Sequence, residues 1–298
     1  MINRISRRSF LQSSALVAAC AGTGVGTALV NSKPALGQSV PTSNKPSPIR
    51  LGLASDTFRN FTRAQLITFM TQLGINQLNC KDARDHLPKD RVAEVQAVTD
   101  YASANITLHA AGTIAFTKDT DQDVRAIFDY ARNAGINIMV IDPIPSVLPR
   151  IEKFVAEYDI RVALHNDGPE DEFFPSPFDV LKAIKDMDPR IGCCIDLGNT
   201  ALTKSNVVDA IHAAGSRLFN LHAKDLTSFS NQDSEVPIGR GIMPFREVFE
   251  ALIAIDYPGF VDLEYEIDPD APLQAVIEGF AYLRGVLNGM GYLINTAS

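Results

Sequence analysis

The chain is short of positive charge, cysteine and long apolar runs, and each shortage closes off a class of protein. Of its 298 residues 35 are acidic and 27 basic, a net charge of -8. Nucleic-acid binding draws on a positive field that displaces counterions, and the composition offers none. Only four cysteines occur: Cys20, Cys80, Cys193 and Cys194. They form no Cys-x-x-Cys pair, so neither a disulfide framework nor a thiolate metal site is expected. Cys193 and Cys194 are adjacent in an apolar run, which sends their side chains to opposite faces of a strand; both read as buried packing residues. Beyond the N-terminal region no stretch is apolar for long enough to span a membrane.

The first 37 residues differ from the rest. A basic start ending in Ser6-Arg7-Arg8-Ser9-Phe10-Leu11 is followed by a mild Ala/Gly-rich apolar run from Ala15 to Val30 and by Pro34-Ala35-Leu36-Gly37. This is the order of an export signal, and the paired arginines before Phe-Leu resemble a twin-arginine signal. Residues 1–37 are therefore expected to be a cleaved leader and the mature protein periplasmic. A second reading is lipidation at Cys20, because Val17-Ala18-Ala19-Cys20 resembles a lipobox. The Pro/Ser-rich residues 38–48 read as a linker, and residues 49–298 as the folded domain.

From Ile49 onward one pattern repeats. Short β-branched runs occur at Ile49–Ala54, Ile75–Cys80, Ile106–His109, Ile136–Ile141, Ile160–His165, Ile191–Asp196, Arg217–His222 and Phe260–Glu264. Amphipathic stretches separate them, and a last one covers Pro272–Leu287. Near-continuous apolar strands alternating with helices predict a parallel sheet covered by helices. Eight units in about 245 residues predict an α/β protein of the (β/α)8 TIM-barrel class. A doubly wound open sheet usually announces a Gly-rich turn after its first strand; here Ser55-Asp56-Thr57-Phe58 follows instead.

A barrel of this kind places its working residues where the strands end. Those ends read Cys80-Lys81-Asp82 on strand two, His109 on strand three, His165-Asn166-Asp167 on strand five, Asp196-Leu197-Gly198-Asn199 on strand six, His222-Ala223-Lys224-Asp225 on strand seven and Glu264-Tyr265-Glu266 on strand eight. Singly, each has a plain structural use: a histidine bonding a carbonyl, Asp196 capping the next helix, Glu264 in a surface ion pair. Together, His165, Asp196, His222 and Glu264 on four successive strands form a mixed N/O set suited to one Mn²⁺, Co²⁺, Zn²⁺ or Fe²⁺ ion. His86 lies in a charged loop and is expected to face solvent.

Five segments, VALHNDGPEDEFFPSPFDV, DPRIGCCIDLGNT, RLFNLHAKDLTS, IGRGIMPF and YPGFVDLEYE, together resemble the xylose-isomerase-like barrel family of sugar-phosphate isomerases and epimerases. The resemblance runs from about Ile49 to about Leu293. It implies a divalent metal held by carboxylates on strands five, six and eight and a histidine on strand seven. Asp196, His222 and Glu264 match; His165 stands where the family has a glutamate. Asn199 replaces a histidine frequent after the strand-six aspartate, and Asp167 also stands where a histidine is common. In the epimerases two glutamates act as opposed acid and base, so His165 is either a ligand or a base of different pKa.

The implied activity is proton abstraction beside a metal-bound carbonyl or hydroxyl of a sugar. Glu264 would serve one face and His165 or Lys81 the other, with Asn199, Lys224, Arg240 and His109 as substrate contacts. Export points to free or oxidised sugars rather than phosphorylated intermediates. The same chemistry supports a lyase or hydratase on 3-keto-glycosides. A reading of another class is a non-catalytic periplasmic sugar-binding protein. Phosphodiester cleavage, known on this barrel, fits poorly, because Asn199 removes one expected ligand and no His-x-His follows strand seven. Many such barrels pair up, which leaves a homodimer as an open expectation.

Overall fold

The computed structural model describes residues 45–293. The expected leader and Cys20 lie outside the described residues. Eight parallel strands close into a barrel: β1 (Arg50–Ala54), β2 (Gln77–Cys80), β3 (Thr107–Phe116), β4 (Ile138–Pro143), β5 (Arg161–His165), β6 (Ile191–Asp196), β7 (Leu218–Ala223) and β8 (Phe260–Leu263). Each strand pairs with its sequence neighbour, and β8 closes the ring on β1 with Phe260 opposite Arg50. The helices are α1 (Arg63–Leu73), α2 (Arg91–Ser103), α3 (Asp121–Asn133), α4 (Leu148–Tyr158), α5 (Pro177–Ala183), α6 (Leu197–Leu202), α7 (Val207–Ala214), α8 (Phe245–Ala254) and α9 (Leu273–Gly289). No described helix is long and apolar enough to cross a membrane.

Local chemistry sets the helix boundaries. Thr62 and Gln65 form a reciprocal capping box before α1, and Gly74 ends that helix in the left-handed region at φ 60°. Asp90 caps α2, and Asn206 caps α7. The last residues of the expected linker are ordered: Lys45–Pro46 pairs in parallel with Tyr292–Leu293.

Strand alternation divides the core into two layers. Val162 and Leu164, Cys193 and Ile195, Leu221 and Ala223, and Val261 and Leu263 belong to the main core that the helices share. Ala110, Val140, Ala163, Cys194 and Phe219 form a second cluster. Cys193 and Cys194 thus fall in different layers, as period-two geometry requires. Both are fully buried, and burial pushes both thiols up, Cys193 to about 12.

The barrel interior also holds polar groups. Asp262 is fully buried, with Oδ1 2.9 Å from His109 Nε2 and Oδ2 2.9 Å from Asn220 Nδ2. Gly52 makes room for it: a Cβ there would collide with Asp262 Oδ1.

Candidate metal and active site

The alternation that sends Val162 and Leu164 to the helices turns His165 inward at the end of β5. Asp196 and His222 are register partners at the ends of β6 and β7. Glu264 follows β8 and donates its N–H to Ala223 O at 3.1 Å. All four residues are buried, and they offer ligand atoms that lie within 4.8 Å of one another. His165 Nε2 is 3.7 Å from Asp196 Oδ2, and His222 Nδ1 is 3.0 Å from Glu264 Oε2.

Three of these atoms, His165 Nε2, Asp196 Oδ2 and His222 Nδ1, are buried and make no regular hydrogen bond, meeting only charged or ionisable neighbours of the same cluster. Buried polar atoms that make no regular hydrogen bond are rare and costly, and three converging on one point fit a cation. Each is backed by a second contact. His165 Nδ1 lies 2.8 Å from Asp167 Oδ1, which fixes the ring and leaves Nε2 for the site. Asp196 divides its labour: Oδ1 accepts from Asn199 N at 2.8 Å to cap α6, while Oδ2 faces the cluster. The capping use and the ligand use of this residue are therefore compatible. His222 Nε2 is 2.9 Å from Asn79 Nδ2, and Asn79 Oδ1 has no partner. Exchanging the look-alike O and N of that amide lets Oδ1 accept from Nε2–H and leaves Nδ1 as a lone pair on the site.

Charge is concentrated here. Lys224 is buried, with Nζ 3.1 Å from Asp196 Oδ2 and 3.2 Å from Glu264 Oε2, and it also meets Glu266 Oε2. Burial alone would lower its pKa, but the three carboxylates raise it well above the usual value. Burial would likewise raise Asp196 and Glu264; Lys224 and His165 bring Asp196 down to about 2, and His222 and Lys224 hold Glu264 well below the carboxylate range. For His165 burial opposes the charge, yet Asp167 and Asp196 lift the ring to about 10.

Not every expected residue joins this group. Asn199 lines a cavity of about 210 Å³ beside Asp167, Lys224, Glu235 and Glu266. Lys81 is held 3.2 Å from Asp56 Oδ2, and Asp56, Glu264 and Glu266 have oxygens within 4.8 Å of one another. Arg240 is not part of the group: Gly239 and Gly241 donate to Asp225 Oδ2 at 2.9 and 3.0 Å, and the exposed Arg240 pairs with Glu278. His109 is also elsewhere. β3 continues seven residues beyond it to Phe116, which leaves His109 near the strand start, inside the barrel on Asp262. His86, expected in solvent, is fully buried with Nε2 2.9 Å from Phe61 O.

Some roles came only with the structure. Asn79 carried one signal, a polar side chain inside the apolar run of β2. Asn166 bonds Asp196 N through Oδ1 at 2.9 Å and Thr200 through Nδ2 at 3.2 Å, tying the ends of β5 and β6. Glu235 reaches the cavity from a short hairpin in which Glu235–Val236 pairs with Asp225–Leu226, and it accepts from Glu266 N at 2.9 Å. Burial raises its carboxyl to about 7.

The sequence profile of the xylose isomerase-like TIM barrels matches residues 65–286, and the chain belongs to that family. An uncharacterised protein of Methanocaldococcus jannaschii, MJ1311, is 29% identical over 136 residues, 44% of this chain; the match spans about half (46%) of that relative's length. Apo 3-keto-D-glucoside 4-epimerase YcjR from E. coli has a similar structure, with TM-score 0.65 and 16% identity over 80% of this chain and 99% of its own. IolI with a bound zinc atom is similar at TM-score 0.66 and 14% identity over 80% of this chain and 98% of its own. At such identities the likeness establishes the fold.

Proposed function

We propose that this protein is a metal-dependent isomerase or epimerase acting on a sugar or sugar derivative. The observation that carries the reading is the convergence of His165, Asp196, His222 and Glu264, whose buried ligand atoms lie within 4.8 Å of one another and of which His165 Nε2, Asp196 Oδ2 and His222 Nδ1 make no regular hydrogen bond. Two imidazole nitrogens and two carboxylate oxygens suit Zn²⁺, Mn²⁺, Co²⁺ or Fe²⁺. An epimerase and a zinc-binding protein among the similar structures agree with this reading.

An ion held there would supply Lewis-acid polarisation of a substrate oxygen. The chain's own groups do the rest. Glu264, kept ionised by His222 and Lys224, is the base that takes a proton from carbon beside the carbonyl. Lys224 meets three carboxylates, so it neutralises the cluster rather than reaching outward to substrate. Asn199 holds a substrate hydroxyl. Lys81, turned toward Asp56, assists from the β1–β2 side. We also propose that the protein works in the periplasm, on free or oxidised sugars, as its N-terminal sequence suggests.

One observation favours a second reading. His165 is clamped through Nδ1 by Asp167, which suits a ligand better than a base, so no second glutamate faces Glu264 across the substrate from β5. A base on one face alone is what β-elimination needs, making a lyase or hydratase on 3-keto-glycosides the alternative. Incubation with free and 3-keto sugars in D₂O decides. Deuterium at a stereocentre of intact sugar supports the isomerase, and release of the glycosidic substituent supports the lyase. Neither outcome with metal-loaded protein across both panels would overturn the enzyme reading in favour of a binding protein.

A further inference from the structure

At the opposite end of the barrel, where the strands begin, lies a second cavity of about 250 Å³, lined among others by Arg50, His109, Asn137, Arg161, Phe219 and Phe260. The strands β1 and β5 that carry Arg50 and Arg161 stand across the ring from one another. The Arg50 guanidinium lies 4.1 Å from the Phe260 ring centre, and that of Arg161 lies 5.1 Å from Phe219. Stacking on a ring fixes the guanidinium plane and leaves its N–H edge free to bond.

That edge is unused. Among the described residues, Arg50 and Arg161 are the two arginines whose side chains make neither an ion pair nor a hydrogen bond. Every other one reaches a carboxylate or a carbonyl. The lining is also free of acid. No Asp or Glu borders this cavity, or the neighbouring one of about 300 Å³ that shares Arg50 and adds Arg284, although the chain has 35 acidic residues. The buried carboxylate behind His109, Asp262, has both oxygens engaged by His109 and Asn220.

We infer that the strand-start end of the barrel is an oxyanion site, in which Arg50 and Arg161 grip a phosphate group, free or esterified, from opposite sides. A carboxylate has two oxygens and is satisfied by one guanidinium fork, whereas a phosphate has enough to take two. The cavity leaves room beside the phosphate for a small organic portion. The site lies at the other end of the strands from His165 and Glu264, so it binds a different molecule from the one proposed to react there.

The test is calorimetric titration of the full chain with inorganic phosphate and with glucose 6-phosphate, on the wild type and on Arg50→Gln, Arg161→Gln and the double variant. Saturable binding is expected, weakened about tenfold or more by each single change and lost in the double. Tighter binding of glucose 6-phosphate assigns the esterified form, and equal or weaker binding assigns free phosphate. If Arg161→Gln does not fold, the exposed Arg50→Gln alone gives the answer. Absence of saturable binding to the wild type overturns the inference. So does binding that survives the double variant.

Discussion

Asp167 Oδ1 stands 2.8 Å from His165 Nδ1, and that contact decides which nitrogen of the ring faces the site. A carboxylate behind a metal-binding imidazole orients it and strengthens it as a donor. Asp167→Asn should therefore weaken Mn²⁺ or Zn²⁺ binding by about 10- to 100-fold while the barrel stays folded. Asn79→Ala, which frees His222 Nε2, should act in the same direction. Metal titration followed by circular dichroism separates lost affinity from lost fold. Unchanged affinity in both variants would remove the ligand role of the two histidines.

Lys224 joins three carboxylates, Asp196, Glu264 and Glu266. Lys224→Met leaves like charges facing one another without a cation, an expensive arrangement in a buried place. Metal-free Lys224→Met protein should melt well below the metal-free wild type. Mn²⁺ should raise its melting temperature by more than it raises that of the wild type, since binding to the folded state stabilises by mass action. Thermal melts with Mn²⁺ and with chelator check both expectations.

Burial lifts the Glu235 carboxyl from 4.5 to about 7. Between those values the folded protein keeps a proton that the unfolded chain has released. The stability contributed by this group is therefore complete below about pH 4.5 and is lost as the pH rises through about 7. Glu235→Gln keeps an oxygen for Glu266 N and has no proton to lose. The variant should match the wild type at pH 4.5 and exceed it at pH 8 by roughly 3 kcal/mol. Urea denaturation of chelated protein at the two pH values measures the difference.

Gly52 and Asp262 compete for one volume inside the barrel. In Gly52→Ala the new methyl would meet Asp262 Oδ1, with His109 Nε2 behind it. Displacing a buried carboxylate from its partners and overpacking the interior should together cost about 3 kcal/mol. A urea midpoint equal to wild type would show that the interior yields more easily than its packing implies.

The barrel was legible because its signal repeats eight times. One ambiguous run matters little when seven others keep the period. The grouping of His165, Asp196, His222 and Glu264 was legible for a related reason: at the mouth ends of β5 to β8 the inward residue is His, Asp, His and Glu in turn. What stayed hidden depends on strand length and loop path. His109 looked like a strand end because the polar residue interrupts the run, yet Ala110–Phe116 carries β3 onward. Arg240 sits beside two glycines in a loop, and only the bonds of Gly239 and Gly241 to Asp225 determine which way it turns. Glu235 carried no signal in the sequence, because its burial comes from a hairpin fold-back that no periodicity announces.

The pairing of Lys45–Pro46 with Tyr292–Leu293 has a practical side. Neighbouring strands run about 5 Å apart, so the segments that enter and leave the barrel are already side by side. A few residues could join 293 to 45, and the ring could be opened instead at an exposed turn between two helices and strands. Such a circularly permuted chain would keep every strand neighbour and all four site strands. It would also omit residues 1–44, so the barrel could be produced and studied by itself.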